Sequence, residues 1–238
     1  MVHASWFGRA VIAATLAVVV PAPHAAGPAR PDTPAPDAPG ATGADVLQRA
    51  FEDYERGDLD RALAAFTRLA RAGDRIAQYN VAVIRLREES LSTPLPLALR
   101  WLQASADAGL PVAQFMLGTL HENGDHVERS LSLATKWFGR AASAGLVDAQ
   151  VALATQHYLG RGAPKDMALA ARWYERAAEG GDVGAQYLIA SMYEQGLGVT
   201  RDLRQALDWY AAAARQGDPA AQAKARSLAE RLATERDS

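Results

Sequence analysis

Three histidines stand beyond the first 43 residues of this chain: His121, His126 and His157. Two of them share one stretch, His121-Glu122-Asn123-Gly124-Asp125-His126. Imidazole and carboxylate are ready zinc ligands, so the stretch gathers four potential donors in six residues. The spacing matches no established ligand pattern, and a turn containing glycine is polar for ordinary reasons. His121-Glu122 opens as a zinc-hydrolase helix would, but no second histidine follows four residues on. No Ser-His-Asp spacing and no phosphate loop accompany it. The histidines therefore read as packing or loop side chains, as a metal site, or as a pH response in a protein facing acid. Nothing else in the chain calls for a cofactor. The absence of cysteine excludes a disulfide framework, a thiol nucleophile, thiolate metal sites and a lipid-bearing cysteine anchor. It also fits export into an oxidising compartment.

The elements that must position these residues are set by a repeat. The pair Ala-Gln returns at Ala77-Gln78, Ala113-Gln114, Ala149-Gln150, Ala185-Gln186 and Ala221-Gln222, always 36 residues apart. Gly73, Gly109, Gly145, Gly181 and Gly217 keep the same step, as do Trp101, Trp137, Trp173 and Trp209. A fixed period of this size means a stack of supersecondary units, each burying its surface against its neighbours. Within a unit, Ala185, Leu188, Ile189, Met192 and Tyr193 recur at three- and four-residue steps, which predicts an amphipathic helix. Gly196 and Gly198 break it. Asp202 is placed to cap a second helix carrying Ala206, Trp209, Tyr210 and Ala213, and Gly217 to close that helix. Asp218-Pro219 starts the next one. The expected fold class is all-α, a solenoid of stacked helix-turn-helix units.

The flanks differ. Arg9, the apolar run Ala10 to Val20 and the small residues up to Ala26 read as a signal peptide over residues 1–26, the run being too short to span a bilayer. An uncleaved N-terminal anchor is the alternative. Residues 27–43 are rich in Pro, Ala and Asp and read as a disordered linker. A cap is expected over 44–73, four repeats over 74–217, and a closing helix over 218–235. In the cap, the turn between helices reads as five residues shorter than in later units. The formal net charge of -2 gives no basic footprint for nucleic acid. No stable membrane insertion is expected after signal removal.

The stretch from Ala185, A-Q-Y-L-I-A-S-M-Y-E-Q-G-L-G-V-T-R-D-L-R-Q-A-L-D-W-Y-A-A-A-A-R-Q-G-D, resembles a Sel-one-like repeat, a relative of the tetratricopeptide repeat, which the cap resembles. The resemblance implies a right-handed superhelix of antiparallel helix pairs, with the first helix of each pair lining a concave groove. It also implies an adaptor that assembles complexes or regulates envelope signalling rather than an enzyme. One branch of the family is linked to β-lactam hydrolysis, but that branch is Cys-rich, and the activity is not carried over. Two units depart from the pattern. The first has no loop glycines between Arg87 and Pro96, and the second has His126 where later units have Gly162 and Gly198. His121 and His157 stand at a frequent tyrosine position kept only at Tyr193.

In this register the groove would present Tyr79, Phe115 and Tyr187 near the helix starts. Thr119, Thr155 and Ser191 lie one turn on, and Glu122, Tyr158 and Glu194 follow. An aromatic rail edged with hydroxyls and carboxylates suits a bound peptide or helix, while inter-repeat packing is the other reading of the same aromatics. The expectation is an exported, periplasmic interaction scaffold whose partner is an envelope protein or peptide. Secretion, an envelope hydrolase using Glu122, His121 and His157, and a metal- or pH-gated regulator stand as alternatives.

Overall fold

The structure is a computed structural model that describes residues 42–87 and 95–236. The expected signal peptide, the linker up to residue 41 and the 88–94 part of the first repeat's loop lie outside the described residues. Among the described residues there are eleven α-helices and no strand. They are α1 (Gly43–Glu55), α2 (Leu59–Arg71), α3 (Arg75–Arg87), α4 (Leu95–Asp107), α5 (Pro111–Asn123), α6 (Leu131–Ser143), α7 (Val147–Leu159), α8 (Met167–Glu179), α9 (Val183–Gln195), α10 (Leu203–Arg215) and α11 (Pro219–Arg236). First helices begin at 75, 111, 147 and 183, and second helices at 95, 131, 167 and 203, so both series keep the 36-residue step.

Local chemistry sets these boundaries. Asp166 and Asp202 have extended backbone and accept from the amides of Leu169 and of Arg204 and Gln205, which satisfies donors that a helix start leaves open. Asp74, Asp182 and Asp218 do the same for Ala77, Ala185 and Ala221. Thr42 and Asp45 form a reciprocal capping box at α1. The α1–α2 turn is Arg56-Gly57-Asp58, whereas 160–166 join α7 to α8. The cap's turn is therefore four residues shorter than its counterpart, not five, since α1 has the same 13-residue length as the later first helices.

The later loops fold back on the helix they leave. The amides of Ser130, Asp166 and Asp202 donate to the carbonyls of His121, His157 and Tyr193. A Cβ on Gly162 would run into the carbonyl of Leu131, and one on Gly198 into that of Met167, so glycine there permits a contact of backbone on backbone. His126 stands at the matching place with φ 61, the left-handed conformation that glycine takes at the other two.

The Ala-Gln pair has a double use. Each alanine is fully buried, and the glutamines of the first four pairs reach back to the preceding second helix, while Gln222 is exposed. Gln78 Nε2 donates to the Ala70 carbonyl at 3.2 Å, Gln114 to Ala106 at 3.0 Å, Gln150 to Ala142 at 3.4 Å and Gln186 to Ala178 at 3.1 Å.

The described residues form two compact units, one ending at Leu117 and one beginning at Gly118, within α5. In the first, Phe51 and Phe66 meet edge to face at 5.1 Å among Ala50, Leu63, Val81 and Ile84, with Trp101 against them. Burying a side chain of this size contributes roughly 1.5–3 kcal/mol. In the second, one cluster gathers Ala154, Tyr174, Ile189 and Met192, another Ala190, Tyr210, Ala213 and Leu228, and Trp209 packs against both. Trp209 thus joins one helix pair to the next.

Candidate functional site

The residues expected to form a surface divide by burial. In the first unit, Tyr79 is 1 % and Phe115 8 % exposed. Thr119, at the start of the second unit, is 4 % exposed. These three are core side chains, and the expected aromatic rail does not extend through them. The cause is plain in α3 and α5, where Ala77 to Ile84 and Ala113 to Leu120 are all buried, so neither stretch keeps an open side. Burial also pushes the Tyr79 hydroxyl pKa up, against the pull of the Arg87 charge.

The other six, Glu122, Thr155, Tyr158, Tyr187, Ser191 and Glu194, are half-buried. All lie in the second unit, on α5, α7 and α9. Helix α7 places Thr155 Oγ1 at 2.8 Å from the Val151 carbonyl and 2.9 Å from the Tyr174 hydroxyl. Tyr158 meets Tyr174 edge to face at 6.5 Å. Burial raises the pKa of Tyr174, and the nearby Tyr158 adds to the effect against the Thr155 bond. Helix α9 sets Tyr187 edge to face with Tyr210 at 5.3 Å, and Ser191 Oγ accepts from Gln195. In these two helix pairs a first-helix tyrosine leans on a second-helix tyrosine.

The two carboxylates are held differently. Glu194 Oε2 accepts from the Tyr210 hydroxyl at 2.9 Å and from Lys224 Nζ, on α11, at 3.1 Å. Lys224 Nζ lies 5.9 Å from the centre of the Tyr210 ring. Burial pushes the Glu194 pKa up, but the bonds from Lys224 and Tyr210, with the charges of Lys224 and Arg231, outweigh it and leave the carboxyl below its ordinary value. For Tyr210 both burial and Glu194 act upward. Glu122 uses one oxygen, Oε1, which accepts from Gln156 Nε2 at 2.7 Å and lies 3.8 Å from Arg161 Nη2.

Gln156, Arg161, Tyr210 and Lys224 were not among the expected site residues. Gln156 left a signal, since it interrupts an apolar column of Ile84, Leu120 and Met192. It is 2 % exposed, and its Oε1 has no hydrogen-bond partner. Lys224 is one of three lysines in the chain.

Among the described residues no hydrogen bond or ion pair joins a histidine ring to either of these carboxylates. His121 Nδ1 lies 3.2 Å from the Glu128 carbonyl. His126 is exposed. His157 Nδ1 is buried without a hydrogen-bond partner. Its counterpart Tyr193 donates to Glu175 Oε1 at 2.8 Å, but the residue 36 before Glu175 is Gly139, which offers no acceptor. Burial, with the Glu175 bond and charge and the Asp202 charge, pushes the Tyr193 pKa up to about 12. Among the described residues no group of three or more His, Asp or Glu could hold a metal ion. No helix among them is long and apolar enough to cross a membrane.

The model of the Sel1 repeat matches residues 75–110, 111–146, 147–182 and 183–218, more than half of the chain. A crystal structure of c5321, a protective antigen of uropathogenic Escherichia coli displaying an SLR fold, is similar with a TM-score of 0.73 and 26 % identity. The match covers 79 % of this chain and 41 % of that one. A Sel1 repeat protein from Oxalobacter formigenes is similar with a TM-score of 0.65 and 29 % identity, over 71 % of this chain and 49 % of that one. The chain thus spans less than half the length of either. No curated protein matches it.

Proposed function

The chain belongs to the Sel1 repeat family, and from that premise we propose that it is an exported interaction scaffold of the cell envelope that binds a protein or peptide on the first helices of its second unit. Proteins of this family are mostly interaction scaffolds rather than enzymes. The observation that carries the reading is the half-buried row of Glu122, Tyr158 and Glu194, with Thr155, Tyr187 and Ser191 beside it. Half-buried tyrosines backed by a second aromatic ring offer large contact area at low entropic cost. The cysteine-free composition and the signal-like N-terminus support a periplasmic site of action. A role in envelope signalling or exopolysaccharide assembly accords with that location.

The test is affinity capture from envelope extract with the full chain and with a Tyr158→Ala, Tyr187→Ala double variant. A protein retained by the former and lost by the latter, with unchanged helicity by circular dichroism, is the expected result. Equal retention by both would place the partner elsewhere and contradict the reading.

A further inference from the structure

Glu122, Tyr158 and Glu194 occupy one repeat position, and Lys224, which meets Glu194 from the next first helix, is matched in the two earlier repeats by Leu188 and Ala152. At Glu194 that pairing is closed: Lys224 puts its ammonium on the carboxylate at 3.1 Å, and Tyr210 adds its hydroxyl. At Glu122 both donors are missing, because Phe138 stands where the Tyr210 ring does and Ala152 where Lys224 does. Gln156 and Arg161 both approach Oε1, and Arg161 only at 3.8 Å with a side chain 42 % exposed. Glu122 itself is 27 % exposed. In the repeat between the two carboxylates the same positions hold Tyr158 and Leu188, the latter 38 % exposed.

The geometry points to Glu122 as the receptor for a Lys or Arg side chain of a bound peptide, its cation standing over Ala152 as Lys224 stands at Glu194. This rests on the protein-binding reading above and names the chemistry of the partner. A half-buried carboxylate with one distant cation gains most from a second, since an opposite charge is worth more as water is excluded. The short Ala152 side chain leaves the volume that the lysine stem fills in the closed copy. One repeat further, the Tyr158–Leu188 ledge takes an apolar residue of the same peptide. The chain thus carries one occupied and one open version of the same device.

The test uses the full chain as target for a displayed library of random peptides. Affinities of selected peptides are then measured for the unmodified protein, Glu122→Gln, Ala152→Lys and, as control, Glu179→Gln on α8. Ala152→Lys supplies the chain's own ammonium and is expected to fold as well as the parent, because it rebuilds the Lys224–Glu194 pair. The expected result is a shared Lys or Arg among the selected peptides. Affinity should fall about tenfold or more in both Glu122→Gln and Ala152→Lys and stay within about twofold in the control. Peptides that bind without a shared basic residue, or equally to both variants, overturn this inference and leave the scaffold reading standing. Failure to select any peptide counts against both.

Discussion

Gln216 donates from Nε2 to Gln186 Oε1 at 2.9 Å, and the same nitrogen reaches the Gly181 carbonyl at 3.1 Å. Gln186 is thereby satisfied at both ends, while the buried Oε1 atoms of Gln78, Gln114 and Gln150 have no hydrogen-bond partner. The residue that matches Gln216 beside Gln78 is Ala108, exposed at the end of α4. Ala108→Gln should therefore raise stability by about 1 kcal/mol, the usual net value of a completed hydrogen bond. Urea denaturation measures it, and an unchanged or lowered midpoint would show that the orphan oxygen costs nothing.

Gln156 offers the opposite experiment. Its neighbours in the column, Leu120 and Met192, are apolar and 3 % and 2 % exposed. Gln156→Met removes a buried oxygen without a partner and restores the apolar column, so stability should rise by roughly 1 kcal/mol despite the lost bond to Glu122. A loss of stability would mean that the Glu122–Gln156 bond outweighs the orphaned atom.

The loop glycines divide by what a side chain would meet. Gly162 has φ 73 and faces the Leu131 carbonyl, whereas Gly217 has φ 92 and open space. Gly217→Ala should cost about 1 kcal/mol from backbone conformation alone, and Gly162→Ala roughly 2 kcal/mol or more, because the loop must also move. Equal losses in a thermal melt would contradict the close backbone contact.

The Glu194 carboxyl titrates below its ordinary value in the folded chain. Its contribution is thus complete above the unfolded carboxyl's pKa of about 4.3 and is lost as pH falls through the lower folded value. Comparing Glu194→Gln with the parent should show a destabilisation of about 1–2 kcal/mol at pH 7 that vanishes in acid below the folded pKa. A gap that persists undiminished in strong acid would exclude the Lys224 and Tyr210 contacts as its source.

Much of the fold was legible because the repeat is strict. Ala185-Gln186, Asp202 and Gly217 carry out local tasks that backbone geometry fixes, namely a close-packed alanine, a tie to a carbonyl, a cap and a left-handed turn. The site was legible only in part. Period places Tyr79, Phe115, Val151 and Tyr187 on one side of their helices, but burial depends on what the neighbouring helices bring. That side is closed at Tyr79 and Phe115 and half open at Tyr187. Gln156 and Lys224 break the repeat's own pattern, which is why a reading built on periodicity passed over them, and both touch the carboxylates that matter most. The shorter first turn was visible from Gly57-Asp58, but its length was off by one residue because helix ends are softer than helix centres.

The most direct test of the central claim is site-specific photo-crosslinking of the full chain in envelope extract, with the photoreactive residue at Tyr158 or at Arg172, exposed on α8. A partner captured from position 158 and not from 172 is the predicted result. Capture from 172 with none from 158 would show that the first helices of the second unit are not the binding face.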